Sequence, residues 1–189
     1  MNRAGYDFVF CDVDVVLGRD PTGEIKGKLD AYELVFMDDG ARYERDSPFS
    51  ANTGFYAARA GSSRVRAFLW EWLCAFDLIV KERNDQSVAN MLLVEHVSRS
   101  GLRVEILPGG VGARQGGLAL SGMFFRRNAT HAAALKAGAA AFPAALHVNW
   151  NKGRAQKVAW ARSSNPPLVE LPIKLVCCGN ELECRGGSR

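Results

Sequence analysis

With 189 residues, 48% of them hydrophobic, and 24 Lys and Arg against 20 Asp and Glu for a net charge of +4, the chain suits one packed domain of ordinary size. Its basic residues are scattered apart from Arg126, Arg127 and the 154–162 segment, without the basic stripe and aromatic platforms that bind nucleic acid, so no nucleic-acid partner is expected. No apolar run approaches the roughly 18 to 20 residues of a membrane span, and the first residues, Met1 to Tyr6, hold no signal-peptide core.

Phe8 to Leu17 is an apolar, β-branched run carrying Asp12 and Asp14, and it reads as a buried strand that ends in two carboxylates. Alternation puts both carboxylates on one face. Two anions this close are costly unless they share a cation, and oxygen ligands suit Mg²⁺ or Mn²⁺ that also carries a substrate phosphate. A ligand-bearing strand so near Met1 also predicts that earlier βαβ units are absent from this chain.

Gly18 to Gly23, with Pro21, reads as a turn. Leu34 to Met37 is a short strand ended by Asp38, Asp39 and Gly40, residues 41–50 form a loop, and Ala51 to Ala58 returns to a strand pattern. Arg64 to Val80 reads as one helix, because Val65, Phe68, Leu69, Trp72, Leu73 and Phe76 recur at three- and four-residue spacing. A second helix spans Asp85 to Ser98, with Val88, Met91, Leu92 and Val97 on one face and Asp85 where the helix dipole favours an anion. Val104 to Leu107 is a strand closed by Pro108, and the glycines from Gly109 to Gly122 predict a loop or lid. Thr130 to Ala145 is alanine-rich and partly helical, Leu146 to Trp150 is a strand end, and Asn151 to Arg162 is basic. The reading is one α/β domain over 1–162 with an irregular tail over 163–189.

Five cysteines show no zinc spacing. Cys11 and Cys74 sit in apolar surroundings and are expected as buried thiols, while Cys177, Cys178 and Cys184 allow one disulfide in an oxidising compartment. The sequon at Asn128 is usable only in a secretory compartment.

Three further segments carry polar groups suited to chemistry. Asn52-Thr53-Gly54 sets an amide beside a glycine that permits close approach, although a plain turn explains it equally well. Asp85-Gln86 offers a carboxylate and an amide, and also fits a helix start. His147 to Lys157 supplies an imidazole, the flexible Gly153 and several cations, and taken alone His147 is more simply a core or surface histidine.

In order and spacing, these blocks resemble the nucleotide-diphospho-sugar transferase family, which includes plant-type Golgi arabinosyltransferases and xylosyltransferases. The residues that carry the resemblance are Gly5 to Leu17 with Asp20 and Pro21, Asn52 to Tyr56, Glu71 to Leu73, Asn84 to Gln86, and His147 to Asn149 with Gly153 and Lys157. It covers roughly residues 5 to 160. The resemblance implies a glycosyltransferase type A fold, a Rossmann-like mixed sheet with flanking helices, here without its N-terminal nucleotide-binding part. It implies that Asp12, Asp14 and His147 hold Mn²⁺ or Mg²⁺, and that Gly153 and Lys157 meet the donor diphosphate. Asn52, Asp85 and Gln86 would form the catalytic set facing donor sugar and acceptor, with Asp85 or Gln86 near the anomeric carbon. The implied reaction is retaining transfer from a nucleotide sugar, a UDP sugar by preference, to a glycan or glycoprotein. The implied compartment is the Golgi lumen, with membrane attachment only through an anchor this chain does not carry.

Two other readings stand beside it. A remnant or pseudo-transferase would bind without turnover. A haloacid-dehalogenase-like phosphatase would use Asp12 as nucleophile and Asp14 as general acid, but Val15 and Val16 replace its usual Gly-Thr and Asp38-Asp39 come too early for its late acidic pair.

Overall fold

A computed structural model describes residues 5–40, 44–108, 117–121, 130, 133–134, 137, 141–149, 153–163, 176–177 and 180–181. A mixed sheet has the order β1 (Phe8–Cys11), β4 (Ala51–Ala58), β3 (Leu34–Asp38), β5 (Val104–Leu107). β4 runs antiparallel to both of its neighbours, and β3 and β5 are parallel. A second sheet has the order β2 (Val15–Leu17), β7 (Ala145–His147), β6 (Ala119–Ser121). The helices are α1 (Thr22–Leu29), α2 (Ser63–Cys74), α3 (Phe76–Glu82), α4 (Asp85–Ser100) and α5 (Arg154–Ser163), and two short strands, β8 (Val176–Cys177) and β9 (Asn180–Glu181), pair near the end.

All eight residues of β4 are buried, because both faces of the first sheet are covered. Alternation along the strands sends Leu34, Phe36, Tyr56 and Ala58 to one face, where they meet Val65 and Phe68 of α2 and Val88 and Leu93 of α4. It sends Val35, Met37, Phe55 and Ala57 to the other, against Ile25 and Leu29 of α1 and Ala119 and Ala145 of the second sheet. Each such large side chain contributes about 1.5–3 kcal/mol by leaving water. The Tyr56 ring stacks between Phe10 and Phe36, with centroids 5.1 and 5.2 Å away.

Capping explains where the main helices begin. The Ser62 hydroxyl accepts from the Val65 N–H at 3.2 Å, and the Asn84 side chain accepts from the Ser87 N–H at 3.2 Å. α4 ends at Gly101, whose φ of 67° is the left-handed conformation glycine adopts without strain. Glu33, with its side chain 5% exposed, ties the start of β3 to its surroundings. It accepts from the Ser62 hydroxyl at 2.7 Å, from Arg64 Nε at 3.0 Å and from the Arg103 N–H at 3.1 Å.

Several expectations need correction. The run from Phe8 to Leu17 is two strands in different sheets: the Val15 N–H bonds back to the Asp12 carbonyl at 3.0 Å, closing a turn over residues 12–14. Nor is the first strand buried, because β1 is an edge strand with Phe10 and Cys11 exposed. Cys11 and Cys74 are both exposed free thiols, since one lies on that edge and the other at the outer end of α2. The helix expected over 64–80 breaks at Ala75, whose ψ of 26° leaves the helical region; no Gly or Pro marks the break and the apolar spacing runs straight across it. Met91 is 48% exposed and off the buried face. The segment after Pro21 continues as α1, which begins beside Asp20, whose side chain accepts from the Thr22 N–H at 2.9 Å. Most of the glycine-rich stretch, the sequon's Asn128, Cys178, Cys184 and most of the tail lie outside the described residues.

Candidate active site

The site lies where β4 loses register with β3. Phe36 faces Tyr56, but the next residue, Met37, faces Asn52, so Thr53, Gly54 and Phe55 have no partner on β3. The displaced segment is tied instead to the turn between β1 and β2, because the Gly54 carbonyl accepts from the Asp12 N–H at 2.8 Å. The same turn carries Asp14. His147, the last residue of β7, pairs with Val15 at the start of β2 and so stands beside both aspartates.

Asp12, Asp14 and His147 each offer a ligand atom, and these atoms lie within 4.8 Å of one another. His147 Nε2 is 3.2 Å from Asp14 Oδ1 and 3.7 Å from Asp12 Oδ2. The protonation of the ring is legible from its other nitrogen. Nδ1 lies 2.8 Å from Asn52 Oδ1, and Oδ1 also accepts from the Gly54 N–H at 3.0 Å, so that atom is the amide oxygen and Nδ1 donates to it. Burial holds the His147 pKa below its ordinary value, against the pull of Asp14 and Asp12. In its neutral, Nδ1-protonated form the ring turns the lone pair of Nε2 toward two carboxylates. Three such acceptors converging fit a shared divalent cation, and two hard oxygens with one imidazole suit Mg²⁺ or Mn²⁺. A histidine whose far N–H is fixed by a neighbour is the usual form of a metal ligand.

Gly54 makes room for this cluster. A Cβ there would stand 2.7 Å from His147 Nδ1 and 2.7 Å from Asp12 Oδ2, so glycine is required by space alone.

The pKa values of the two aspartates are pushed in opposite directions. Burial raises the Asp12 pKa, and Asp14 and Asp85 add to the rise against the pull of His147 and Lys157. Burial acts on Asp14 too, but the bond from Lys157 and the nearby imidazole bring it below the ordinary carboxylate value. The Lys157 ammonium pairs with Asp14 Oδ2. Lys157 reaches the site from the first turn of α5, which follows Gly153 at a φ of 80°.

Behind the cluster lies Asp39, 3% exposed, just past β3. Its Oδ1 accepts from Asn52 Nδ2 at 2.7 Å and from Asn149 Nδ2 at 3.4 Å, and its carboxylate also bonds the Gln86 side chain. The Gln86 oxygen in turn accepts from the Thr53 N–H at 3.4 Å. Burial raises the pKa of Asp39 despite these bonds.

An open cleft of about 370 Å³ joins these parts, and Asp12, Asn52, Asp85, Gln86, His147 and Lys157 all line it. Of the residues expected from the sequence, the structure thus brings together the two aspartates, the imidazole and Lys157, and Asp85 and Gln86 line the same cleft. Gly153 is not among the residues lining the cleft; it turns the chain into α5. Asn52 is 1% exposed with both ends of its amide engaged. Asp39 and Thr53 were not expected at the site. The signal for Asp39 is the one that marks Asp12, a carboxylate where an apolar strand ends.

An acidic, histidine-completed cleft beside a mixed α/β sheet suits a phosphorylated ligand held with a divalent ion. The family model for nucleotide-diphospho-sugar transferases matches residues 1–160, and the chain belongs to that family. The mixed sheet with flanking helices is consistent with the glycosyltransferase type A fold of the resemblance, and family membership favours a transferase over the phosphatase alternative. No curated protein and no solved structure matches the chain. No helix among the described residues is long and apolar enough to cross a membrane.

Proposed function

We propose that the chain is the catalytic part of a divalent-metal-dependent glycosyltransferase that moves a sugar from a nucleotide sugar, with UDP as the preferred nucleotide, to a glycan or glycoprotein. The observation that carries this reading is the convergence of Asp12, Asp14 and the Nε2 lone pair of His147 in a chain of this family. Those three residues would hold Mn²⁺ or Mg²⁺, and the ion when bound supplies positive charge against a departing diphosphate.

The chain's own groups divide the remaining work. Lys157, paired with Asp14 here, would meet the donor diphosphate and add a positive charge to the leaving group. Gly153 serves by setting the start of α5 and hence the reach of Lys157. Asp85, exposed at the first turn of α4, faces the anomeric carbon across the cleft, where its carboxylate favours positive charge developing on the sugar ring. Gln86, bonded to Asp39 and Thr53, holds that wall in place. Asn52 enters through His147 more than through the sugar, because its amide is already engaged. The transfer is assigned as retaining, the domain as 1–162 with a separate tail over 163–189, and the setting as the Golgi lumen with cell-wall or glycoprotein acceptors, all by resemblance to plant-type arabinosyl- and xylosyltransferases.

Calorimetry with UDP and Mn²⁺ on the chain tests the reading. UDP should bind only with Mn²⁺ present, and Asp14→Ala should abolish that binding. Unchanged affinity in the variant removes the metal role assigned to Asp14. Binding without hydrolysis or transfer of any UDP sugar indicates a pseudo-transferase.

A further inference from the structure

Asp39 lies almost wholly buried in the floor of the cleft, and three carboxamides converge on it. Asn52 and Asn149 each donate through Nδ2 to its Oδ1, and Gln86 bonds the same carboxylate. An ionised carboxylate accepts only, so every amide that meets it in that form must present its NH₂, as Asn52 and Asn149 do, and turn its oxygen away. For Asn52 the oxygen that is turned away is the one that receives the Gly54 N–H and His147 Nδ1. The direction of one buried amide thus decides which imidazole nitrogen carries the proton.

We infer that Asp39 is a positioning residue which, through Asn52, holds His147 as the Nδ1–H tautomer and leaves Nε2 free to bind a cation. The metal half of this inference rests on the proposed function; the tautomer half does not. If position 39 could also donate, Asn52 would no longer be held with its oxygen toward His147, and its NH₂ could turn there at the cost of the Gly54 N–H bond. An NH₂ in that place cannot accept from Nδ1–H. The ring then keeps its proton on Nε2, where Asp14 accepts it at the present 3.2 Å, and the ligand lone pair is gone. Such outer partners typically govern ten- to hundred-fold in metal affinity.

The test uses ¹⁵N-histidine NMR of the metal-free protein at pH 8, with Mn²⁺ affinity from the free-ion EPR signal as a second readout. Wild type should show His147 protonated at Nδ1. Asp39→Asn should shift the population toward Nε2–H and weaken Mn²⁺ ten- to hundred-fold. The swap Asp39→Asn with Asn52→Asp restores an acceptor beside Nδ1 and a donor behind it, and should return both readouts toward wild type. A merely structural role for Asp39 predicts no such return. A folded Asp39→Asn with an unchanged tautomer overturns the inference, and so does Nε2–H protonation in wild type. If the single variant does not fold, the wild-type tautomer and the swap variant decide: Nε2–H in either one overturns it. Should the tautomer respond as expected while wild type binds no Mn²⁺, the positioning role stands and the metal reading falls.

Discussion

Gly54→Ala places a methyl group where the His147 ring and the Asp12 carboxylate already are. The added carbon would fall closest of all to His147 Cε1 and would lie 2.7 Å from both His147 Nδ1 and Asp12 Oδ2, so the overlap reaches more than about 0.7 Å inside the 3.4 Å at which ordinary contact begins. The backbone has no room to retreat, because β4 is buried along its whole length and its carbonyl at Gly54 is held by the Asp12 N–H. The imidazole must therefore move. Overpacking of this kind costs about 1–3 kcal/mol, a fall of several degrees in melting temperature at about 2–4 °C per kcal/mol for a chain of this length. Metal ligands tolerate displacements of about 0.2 Å, so a shift of more than about 0.7 Å should weaken Mn²⁺ at least about ten-fold, as loss of an outer-shell partner does. EPR of free Mn²⁺ measures the affinity, and a thermal melt checks the fold. A folded Gly54→Ala protein that binds Mn²⁺ as wild type does would refute the spatial reasoning and the ligand role of His147 together.

Two more substitutions separate the site from the scaffold. Lys157→Gln removes the ammonium that shares Asp14, so Mn²⁺ alone should bind as well as before or better, while UDP with Mn²⁺ should bind about ten-fold more weakly, in line with one charge-assisted bond of about 1.5–3 kcal/mol; equal UDP affinity in calorimetry would remove Lys157 from the diphosphate. Glu33 concerns stability: burial alone would raise its pKa, but bonds from Arg64, Ser62 and the Arg103 N–H bring it below the ordinary value. A depressed carboxylate contributes stability that is fully present above its unfolded pKa and is lost as pH falls through the folded one. Glu33→Gln should therefore cost about 1.5–3 kcal/mol at pH 7, and urea melts of the two proteins should draw together below about pH 4, the ordinary carboxylate range. A gap that stays constant down to pH 3 would show that the charge of Glu33 is not what stabilises the fold.

How much was legible in the sequence varies with the kind of signal. β3, β4, β5 and α4 follow from short apolar runs and helical spacing, and Ser62 and Asn84 cap where capping residues are expected. The break at Ala75 carries no local mark, because ordinary helix formers flank it. The run from Phe8 to Leu17 misleads for a related reason: apolar residues continue while the chain changes sheets, so alternation is the wrong cause for a correct outcome, the convergence of Asp12 and Asp14. His147 and Lys157 were found through the order of blocks, since nothing local distinguishes them from surface residues. Asp39 stayed hidden because its importance lies in what points at it: three amides from distant segments that only the folded chain brings together.

The turn at residues 12–14 is a seam between two sheets, with Asp12 closing β1 on one side and Asp14 opening β2 on the other, next to His147 of β7. Any cation gripped by these three groups therefore rivets two structural layers that otherwise meet through chain crossings, packed apolar faces and the buried amide bonds of Asn52 and Asn149. Occupancy of the centre then becomes rigidity of the whole molecule, since a ligand that favours only the assembled form adds its binding energy to folding.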